Sequence, residues 1–252
     1  METYTISEYV DLPSKGLIYP QKVASEIKLS SMTTRHEMQR LAPSKSQLKP
    51  MCDVLDDCII GDLGMSSYDL YSGDYQFLMF KLRIATYGPN ITLLDYCPHC
   101  GVTSELPVNL DDLEVLTDVE SFERYRHLHL PKADRDIVLK YSTPRMLDRI
   151  ERKVQEFNER TKNSMPDQHL AVLLNEVIDT VDGESLDPVS KEEWVKNLPM
   201  LDVQTINAYI KKMNDTIGID TLLRVECDRC GKEHDTQLRV GPEFFRPEIH
   251  IG

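Results

Sequence analysis

The spacing of apolar residues predicts helices in the N-terminal third of the chain. From Pro50 onward apolar side chains recur three and four positions apart, the pattern of one buried helix face; they are Met51, Val54, Leu55, Cys58 and Ile59. A second helix is predicted from about Ser72 to Gly88, and apolar residues lie nearly all round it. We therefore expect an amphipathic helix followed by a buried central one. A shorter helix is predicted at Thr34, where Thr34-Arg-His-Glu37 has the form of a capping box.

Alternating apolar and polar residues predict short strands elsewhere. These are expected at 27–29, 91–96, 103–110, 136–142, 221–226 and 233–240. Residues 11–20 contain Pro and Gly at turn positions and are predicted to form an ordered loop. The acidic segment 111–125 is predicted to be helical. Residues 144–217 form a predicted helical block with breaks at Met165-Pro166, Gly183 and Leu198-Pro199.

Two Cys-x-x-Cys-Gly motifs, each placed between two predicted strands, carry the strongest chemical pattern. They are Cys97-Pro-His-Cys100-Gly101 and Cys227-Asp-Arg-Cys230-Gly231. Two thiolates three positions apart chelate one metal ion when the chain turns tightly, and the following glycine permits the left-handed backbone of such a turn. Four sulfurs complete a tetrahedral Zn²⁺ site and leave no position for water. We therefore expect one structural zinc ion per chain; a redox pair, a disulfide and plain core cysteines are the alternatives.

These patterns together predict an α+β protein in four parts. Residues 1–90 form an N-terminal arm and helical region, and residues 91–143 with 218–240 form a discontinuous zinc-ribbon-like β domain. Residues 144–217 are a helical insertion between the two cysteine motifs, and 241–252 form an extended C-terminal arm. Loop-closure entropy grows only with the logarithm of length, so zinc binding worth about 10 kcal/mol or more offsets so long an insertion.

Other candidate ligands have weaker patterns. Cys52 and Cys58 lie six positions apart on a predicted helix, too far round it for one chelate, and are expected to be packing residues. In His127-Leu-His129 the two histidines share a strand face, but no neighbouring carboxylate or cysteine completes a ligand pattern. His99 and His234 are expected to be bystanders, because four cysteines already satisfy the ion.

Charge and composition narrow the range of functions. Of the 252 residues 40% are hydrophobic and the formal net charge is −13, which is typical of a globular protein with an acidic surface. Residues 51–130 contain 4 basic and 14 acidic side chains. This balance disfavours binding to a phosphate backbone and favours a basic protein partner. Neither a signal peptide nor a membrane span is predicted, so we expect an intracellular protein with reduced thiols.

Four short motifs occur in an order that resembles one known family. They are Leu12-Pro-Ser-Lys-Gly16, Thr34-Arg-His-Glu37, Leu82-Arg-Ile-Ala-Thr-Tyr-Gly88 and Cys97-Pro-His-Cys100. In this order they resemble the baseplate proteins of T-even-type contractile-tailed bacteriophages, which belong to the baseplate hub or assist its assembly. The resemblance covers about the first half of the chain and the second cysteine motif. Residues 144–217 offer no comparable motif.

The resemblance implies a non-enzymatic structural or assembly component of the tail baseplate. Its partners would be other hub, spike or wedge proteins in a large hetero-oligomer, with neither nucleic acid nor a membrane bound. It would reside in the virion tail, and in the host cytoplasm during assembly. No glycine-rich phosphate loop, nucleophile elbow or His-Glu-x-x-His motif occurs in the chain. The alternatives are a zinc-ribbon nucleic-acid-binding or transcription-related protein, and a metalloenzyme that uses His127, His129 and nearby acids.

Overall fold

The fold is α+β, as a computed structural model shows for residues 5–162, 168–240 and 242–245. The helices are α1 Thr34–Arg40, α2 Lys49–Cys58, α3 Ser72–Tyr87, α4 Val119–Tyr125, α5 Pro144–Thr161, α6 His169–Val177, α7 Pro188–Lys196 and α8 Met200–Asn214. The strands are β1 Ser7–Asp11, β2 Glu26–Ser30, β3 Ile59–Ile60, β4 Asn90–Tyr96, β5 Thr103–Asn109, β6 Val115–Thr117, β7 His127–Leu130, β8 Arg135–Leu139, β9 Ile178–Val181, β10 Ile217–Ile219, β11 Leu222–Glu226 and β12 Glu233–Gln237. All strand pairs are antiparallel.

The first hydrophobic core surrounds α3, the predicted central helix. The sheet β1-β2-β3 and helix α2 pack beside it, so that Leu29, Leu55 and Phe80 are fully buried. Residues from the end of the chain join the same core; they are Met213, Ile217, Ile219, Leu238, Phe244 and Phe245. Helix α3 ends at Gly88, whose φ of +85° lies in the region that favours glycine.

A second hydrophobic core lies within residues 128–206. The sheet β7-β8-β9 packs against α5, α6, α7 and α8, and Leu130, Leu139, Ile178 and Ile206 are fully buried there. This core begins at Leu128, inside the segment 91–143 that the sequence pattern assigns to the β domain. The division into four parts remains a prediction.

Three buried aspartates fasten distant loops to helices. Asp74, in the first turn of α3, accepts hydrogen bonds from Ser14 N–H at 3.0 Å, from the Ser14 hydroxyl, and from Tyr19 Oη at 2.6 Å. Burial raises the pKa of Asp74, and these hydrogen bonds oppose that rise. Asp202, in the first turn of α8, accepts from the N–H groups of Lys132 and Ala133 at 3.0 and 2.7 Å. The Asp74 carboxylate on α3 therefore holds the Leu12–Gly16 motif in place, and the Asp202 carboxylate on α8 does the same for the turn that contains Lys132 and Ala133.

The third aspartate, Asp148 of α5, caps the N-terminus of α2. Helix α2 begins after Leu48, a residue with no side-chain acceptor for the free N–H groups of the first turn. The Asp148 carboxylate accepts from the N–H groups of Gln47, Leu48 and Lys49 at 3.0–3.2 Å, and from Tyr68 Oη at 3.0 Å. A negative charge at a helix N-terminus is also favoured by the helix dipole. The second core is thereby joined to the first.

A glycine pair holds β10 against the start of α3. A Cβ on Gly73 would lie 2.3 Å from the carbonyl oxygen of Ile217, and one on Gly218 would lie 3.1 Å from Gly73 Cα. Gly218 also has a φ of +132°. Both positions therefore require glycine for the two backbones to meet.

The structure corrects three of the predicted elements. Helix α1 is capped by Thr33, whose N–H donates to His36 Nδ1 at 3.0 Å; the box centred on Thr34 is wrong by one residue. Only residues 119–125 of the segment 111–125 form an α-helix, because 115–117 pair with β10. Residues 178–181 are a strand, because they complete the sheet beside β8.

Two predictions for the second half of the chain are tested only in part. The break at Met165-Pro166 lies outside the described residues, and so does most of the arm 241–252. Within that arm residues 242–245 form a 3₁₀ turn with Phe244 and Phe245 buried. Among the described helices, none has both the length and the apolar character needed to cross a bilayer.

We predict that Asp148→Ala lowers the free energy of unfolding by about 3 kcal/mol, because it leaves three backbone N–H groups and the Tyr68 hydroxyl without their anionic acceptor. Urea denaturation followed by circular dichroism measures the change. Glu156→Ala is the control, since Glu156 is an exposed acid on the same helix that forms a surface ion pair with Arg152. The control should change the stability by less than about 0.5 kcal/mol. Equal effects of the two substitutions would contradict the capping role.

Candidate metal centre

The two cysteine motifs form the turns of two β-hairpins with the same backbone pattern. In the first, β4 and β5 are joined so that Cys97 N–H donates to Val102 O at 2.9 Å and Gly101 N–H donates to Cys97 O at 2.9 Å. In the second, β11 and β12 are joined by the equivalent bonds at 3.0 and 2.8 Å. The glycines at the equivalent positions have φ values of +72° and +66°. Both turns therefore have the left-handed backbone that glycine favours, as the sequence predicts.

The fold brings all four cysteines of the motifs together. The Sγ atoms of Cys97 and Cys230 lie 3.7 Å apart, as do those of Cys100 and Cys227, and all four lie within 4.8 Å of one another. A disulfide requires about 2.05 Å between sulfurs. Four sulfurs at about 2.3 Å from a tetrahedral ion lie about 3.8 Å apart. The arrangement is thus compatible with a metal site made of four thiolates.

The hairpin backbones favour ionised sulfur at this site. The N–H groups of Cys230 and Arg229 lower the pKa of the Cys227 thiol to about 7. At Cys230 the N–H of Lys232 lowers the pKa, but burial and the neighbouring thiols outweigh it and raise the pKa to about 11. Four thiolates so close together need a cation to balance their charge. Cys97 and Cys227 are buried, Cys230 is half-buried and Cys100 is exposed.

A second set of contacts joins the two hairpins beside the sulfurs. His234 Nε2 lies 2.9 Å from Asp95 Oδ2, and the two side chains are 4% and 6% exposed. His99 Nε2 lies 3.2 Å from the carbonyl oxygen of Glu233, and the two imidazole rings meet edge to face. The histidines, expected to be bystanders, therefore connect β4 and its turn to β12.

Sequence reasoning missed Asp95, although one feature of its position was informative. Ile91, Leu93 and Asp95 alternate on one strand, and the burial of Asp95 shows that this face points inward. A carboxylate that points inward needs a buried hydrogen-bond partner, and in the structure that partner is His234. Oδ1 of Asp95 and Nδ1 of His234 are buried with no partner among the described residues.

The remaining candidates lie away from this centre. Cys52 and Cys58 are fully buried in α2, and burial raises their pKa values to about 12 and 11, so both carry neutral thiols. They pack in the core, as predicted. Cys58 Sγ also lies 3.6 Å from His36 Nδ1.

The His127-Leu-His129 segment lies in strand β7, where the fold brings two carboxylates close to His129. His129 lies 2.9 Å from Asp136 and 3.5 Å from Asp134, because strand β8 folds back beside it. All three side chains are exposed. Over residues 5–162, 168–240 and 242–245, the four cysteines are the one group of three or more potential ligands with converging atoms.

We predict that Asp95→Ala destabilises the protein by about 2 kcal/mol, because His234 then loses the one hydrogen-bond partner it has among the described residues, in a buried position between the hairpins. Thermal and urea unfolding measure the effect. Asp235→Ala is the matched control: Asp235 neighbours His234 on β12 but lies on the opposite, exposed face. If both variants unfold alike, the cross-hairpin contact contributes nothing to stability.

Comparison with known proteins places the whole described fold in one family. No curated protein and no solved structure matches the chain. One family model, described as T4 bacteriophage base plate protein, matches residues 4–246. The match includes residues 144–217, for which the short motifs give no resemblance, and it confirms the family that they indicate. The chain belongs to the T4 bacteriophage base plate protein family.

Proposed function

We propose that this protein is a non-enzymatic structural or assembly component of the baseplate hub in a contractile phage tail, and that it contains one structural zinc ion. The match of residues 4–246 to the baseplate family carries the proposal, because that family indicates a structural tail component that contacts other tail proteins. The hub position and the zinc ion go beyond the family assignment. The virion tail is the location that the family implies.

The zinc proposal assigns Cys97, Cys100, Cys227 and Cys230 as the four ligands. An all-cysteine set at these sulfur spacings suits Zn²⁺, which binds thiolates tetrahedrally in structural sites. Four protein sulfurs fill the coordination sphere, so the ion would supply rigidity and no catalytic water. The two hairpins would then form one zinc-ribbon-like unit.

The effect of this ion would be to fix the ends of a long chain segment. Cys100 and Cys227 are neighbours in space, yet the entire second core lies between them in sequence. A bound metal contributes its binding free energy to folding, since the unfolded chain lacks the site. Such a cross-link would hold the two hairpins together at the two ends of that segment.

The partners we infer are other baseplate proteins of the hub, spike or wedge, within a large hetero-oligomer. The alternative of a nucleic-acid-binding ribbon has less support. Arg224, the basic residue on β11, already forms an ion pair with Glu233 at 2.7 Å. The acidic segment 51–130 repels a phosphate backbone. After synthesis the protein would pass through the host cytoplasm before it joins the tail.

We predict one zinc ion per chain, measured by elemental analysis of the purified protein, with all-sulfur coordination in X-ray absorption. Cys97→Ser or Cys227→Ser should lose the metal and lower Tm by more than about 10 °C, because the site then lacks a ligand. Cys52→Ser is the control: it should retain the full zinc content and lower Tm less. Zinc retained in the first two variants, or equal destabilisation in all three, would refute the ligand assignment.

The structural role predicts that phage lacking this protein produces no normal tails. Electron microscopy should show arrested baseplate intermediates, and supply of the protein in trans should restore tails. Normal contractile tails from the deletion phage would disprove the role. Complementation with Cys227→Ser tests the zinc site separately. If a metal-free protein still restores tails, the tail function stands but does not need zinc.

A further inference from the structure

A groove lies between the two hairpins, away from the sulfurs. Its walls come from β5 and β11 and its base from the segment that precedes β6, and it encloses about 400 Å³. Its apolar lining is half-buried or exposed; these residues are Leu106, Val108, Leu113, Leu222, Leu223 and Val225. The apolar lining would gain from being covered, since burial of apolar surface stabilises a complex.

One wall of this groove is an unpaired strand edge. Strand β11 pairs with β12 on one side, and within the described residues no strand pairs with its other side. Because Cys227 N–H donates to Lys232 and Leu238 N–H to Thr221, residues 221, 223, 225 and 227 face β12. The alternate residues Arg224 and Glu226 therefore direct their N–H and C=O groups away from β12. Such an edge is a template for an added strand.

The opposite wall is a poorer template. By the same alternation, the free edge of β5 is formed by Thr103, Glu105, Pro107 and Asn109. Pro107 has no N–H to donate, so a strand added at this edge would lack one hydrogen bond of its ladder. Strand β5 is thus protected against pairing, whereas β11 is open.

The charge of the groove indicates what kind of segment would bind in it. Its lining includes three carboxylates, those of Asp112, Glu114 and Asp220, and one basic residue, Arg224. Arg224 is already paired with Glu233 at 2.7 Å. The groove is therefore acidic, and it complements a chain that presents Lys or Arg together with apolar side chains.

We propose that an extended segment of another tail protein, with apolar residues alternating with Lys or Arg, adds as a strand to the free edge of β11 and fills this groove. One face of such a strand lies against Leu223, Val225 and Val108, and its basic residues lie near Glu114 and Asp112. The proposal rests on the proposed function only for the source of the segment. Strand addition itself is a property of this surface.

The test uses the full-length protein and a nine-residue peptide that alternates lysine and valine. Fluorescence anisotropy measures affinity, and NMR follows the Arg224 and Glu226 amides and the methyl groups of Val108, Leu223 and Val225. We expect shifts in these groups, and at least tenfold weaker binding of a peptide in which glutamate replaces lysine. Shifts confined to other surfaces would overturn the proposal.

N-methylated peptides separate strand pairing from simple charge attraction. In a strand the N–H groups of alternate residues point to opposite edges, so lysine and valine N–H groups point to different sides. One version is methylated at all lysines and the other at all valines; only one of them should lose binding, by at least tenfold. Equal binding of both versions would show that no strand is added.

Charge reversal in the protein provides the matched control. Asp112→Lys with Glu114→Lys should weaken the lysine-valine peptide at least tenfold, whereas Asp57→Lys with Glu193→Lys, two exposed acids elsewhere, should leave the affinity nearly unchanged. Equal weakening would show that the interaction depends only on overall charge and would refute the site.

Analytical ultracentrifugation tests whether a second copy of this chain fills the groove instead. A dimer whose interface maps to Arg224 and Glu226 would show this and would overturn the proposal of another tail protein. If phage tails form normally without the protein while the peptide still binds here, the tail function fails and the strand-addition surface stands.

Discussion

The convergence of two hairpin turns on one small volume is the constraint on which the structure depends. Each turn places two sulfurs in the same geometry, and the sulfurs of Cys100 and Cys227 approach to 3.7 Å. Thiolates at this distance repel one another unless a cation lies between them. The hairpins also share a hydrogen bond from His234 to Asp95, so part of their contact is independent of the sulfurs. The chain segment that connects the two hairpins must therefore begin and end where the hairpin turns meet.

Buried carboxylates also hold together segments that are distant in sequence. Asp74, Asp148 and Asp202 each accept backbone N–H groups from a loop or helix end that is distant in sequence. A carboxylate has several lone pairs and accepts these bonds more strongly than a neutral group does. Each aspartate thus fixes a segment with no regular pairing of its own. Asp148 has the widest effect, since it joins the helices of the two cores.

These constraints bear on the role in a tail baseplate. The family match places the chain among proteins that function by contact with others, and the fold presents surfaces suited to contact. The acidic groove beside β11 is one of them, because it combines an open strand edge, apolar side chains and three carboxylates. Its position between the hairpins means that their relative placement also shapes the groove. The proposed zinc ion would then stabilise the binding surface as well as the fold.

The sequence alone determined the features that depend on local order. The stripe on α2, the apolar surface of α3 and the two Cys-x-x-Cys-Gly turns are all set by residues a few positions apart, and each is found in the structure, except that Ile59 lies in β3 beyond the end of α2. The baseplate motifs likewise indicated the family that the family match shows. Tertiary structure decided the features that arise from distant partners. Strand β9 forms because β8 lies beside it, and residues 115–117 leave the predicted helix because β10 pairs with them. Asp95 and Asp148 look like ordinary surface acids until the fold brings His234 and the start of α2 to them, since a carboxylate's function depends on which donors surround it.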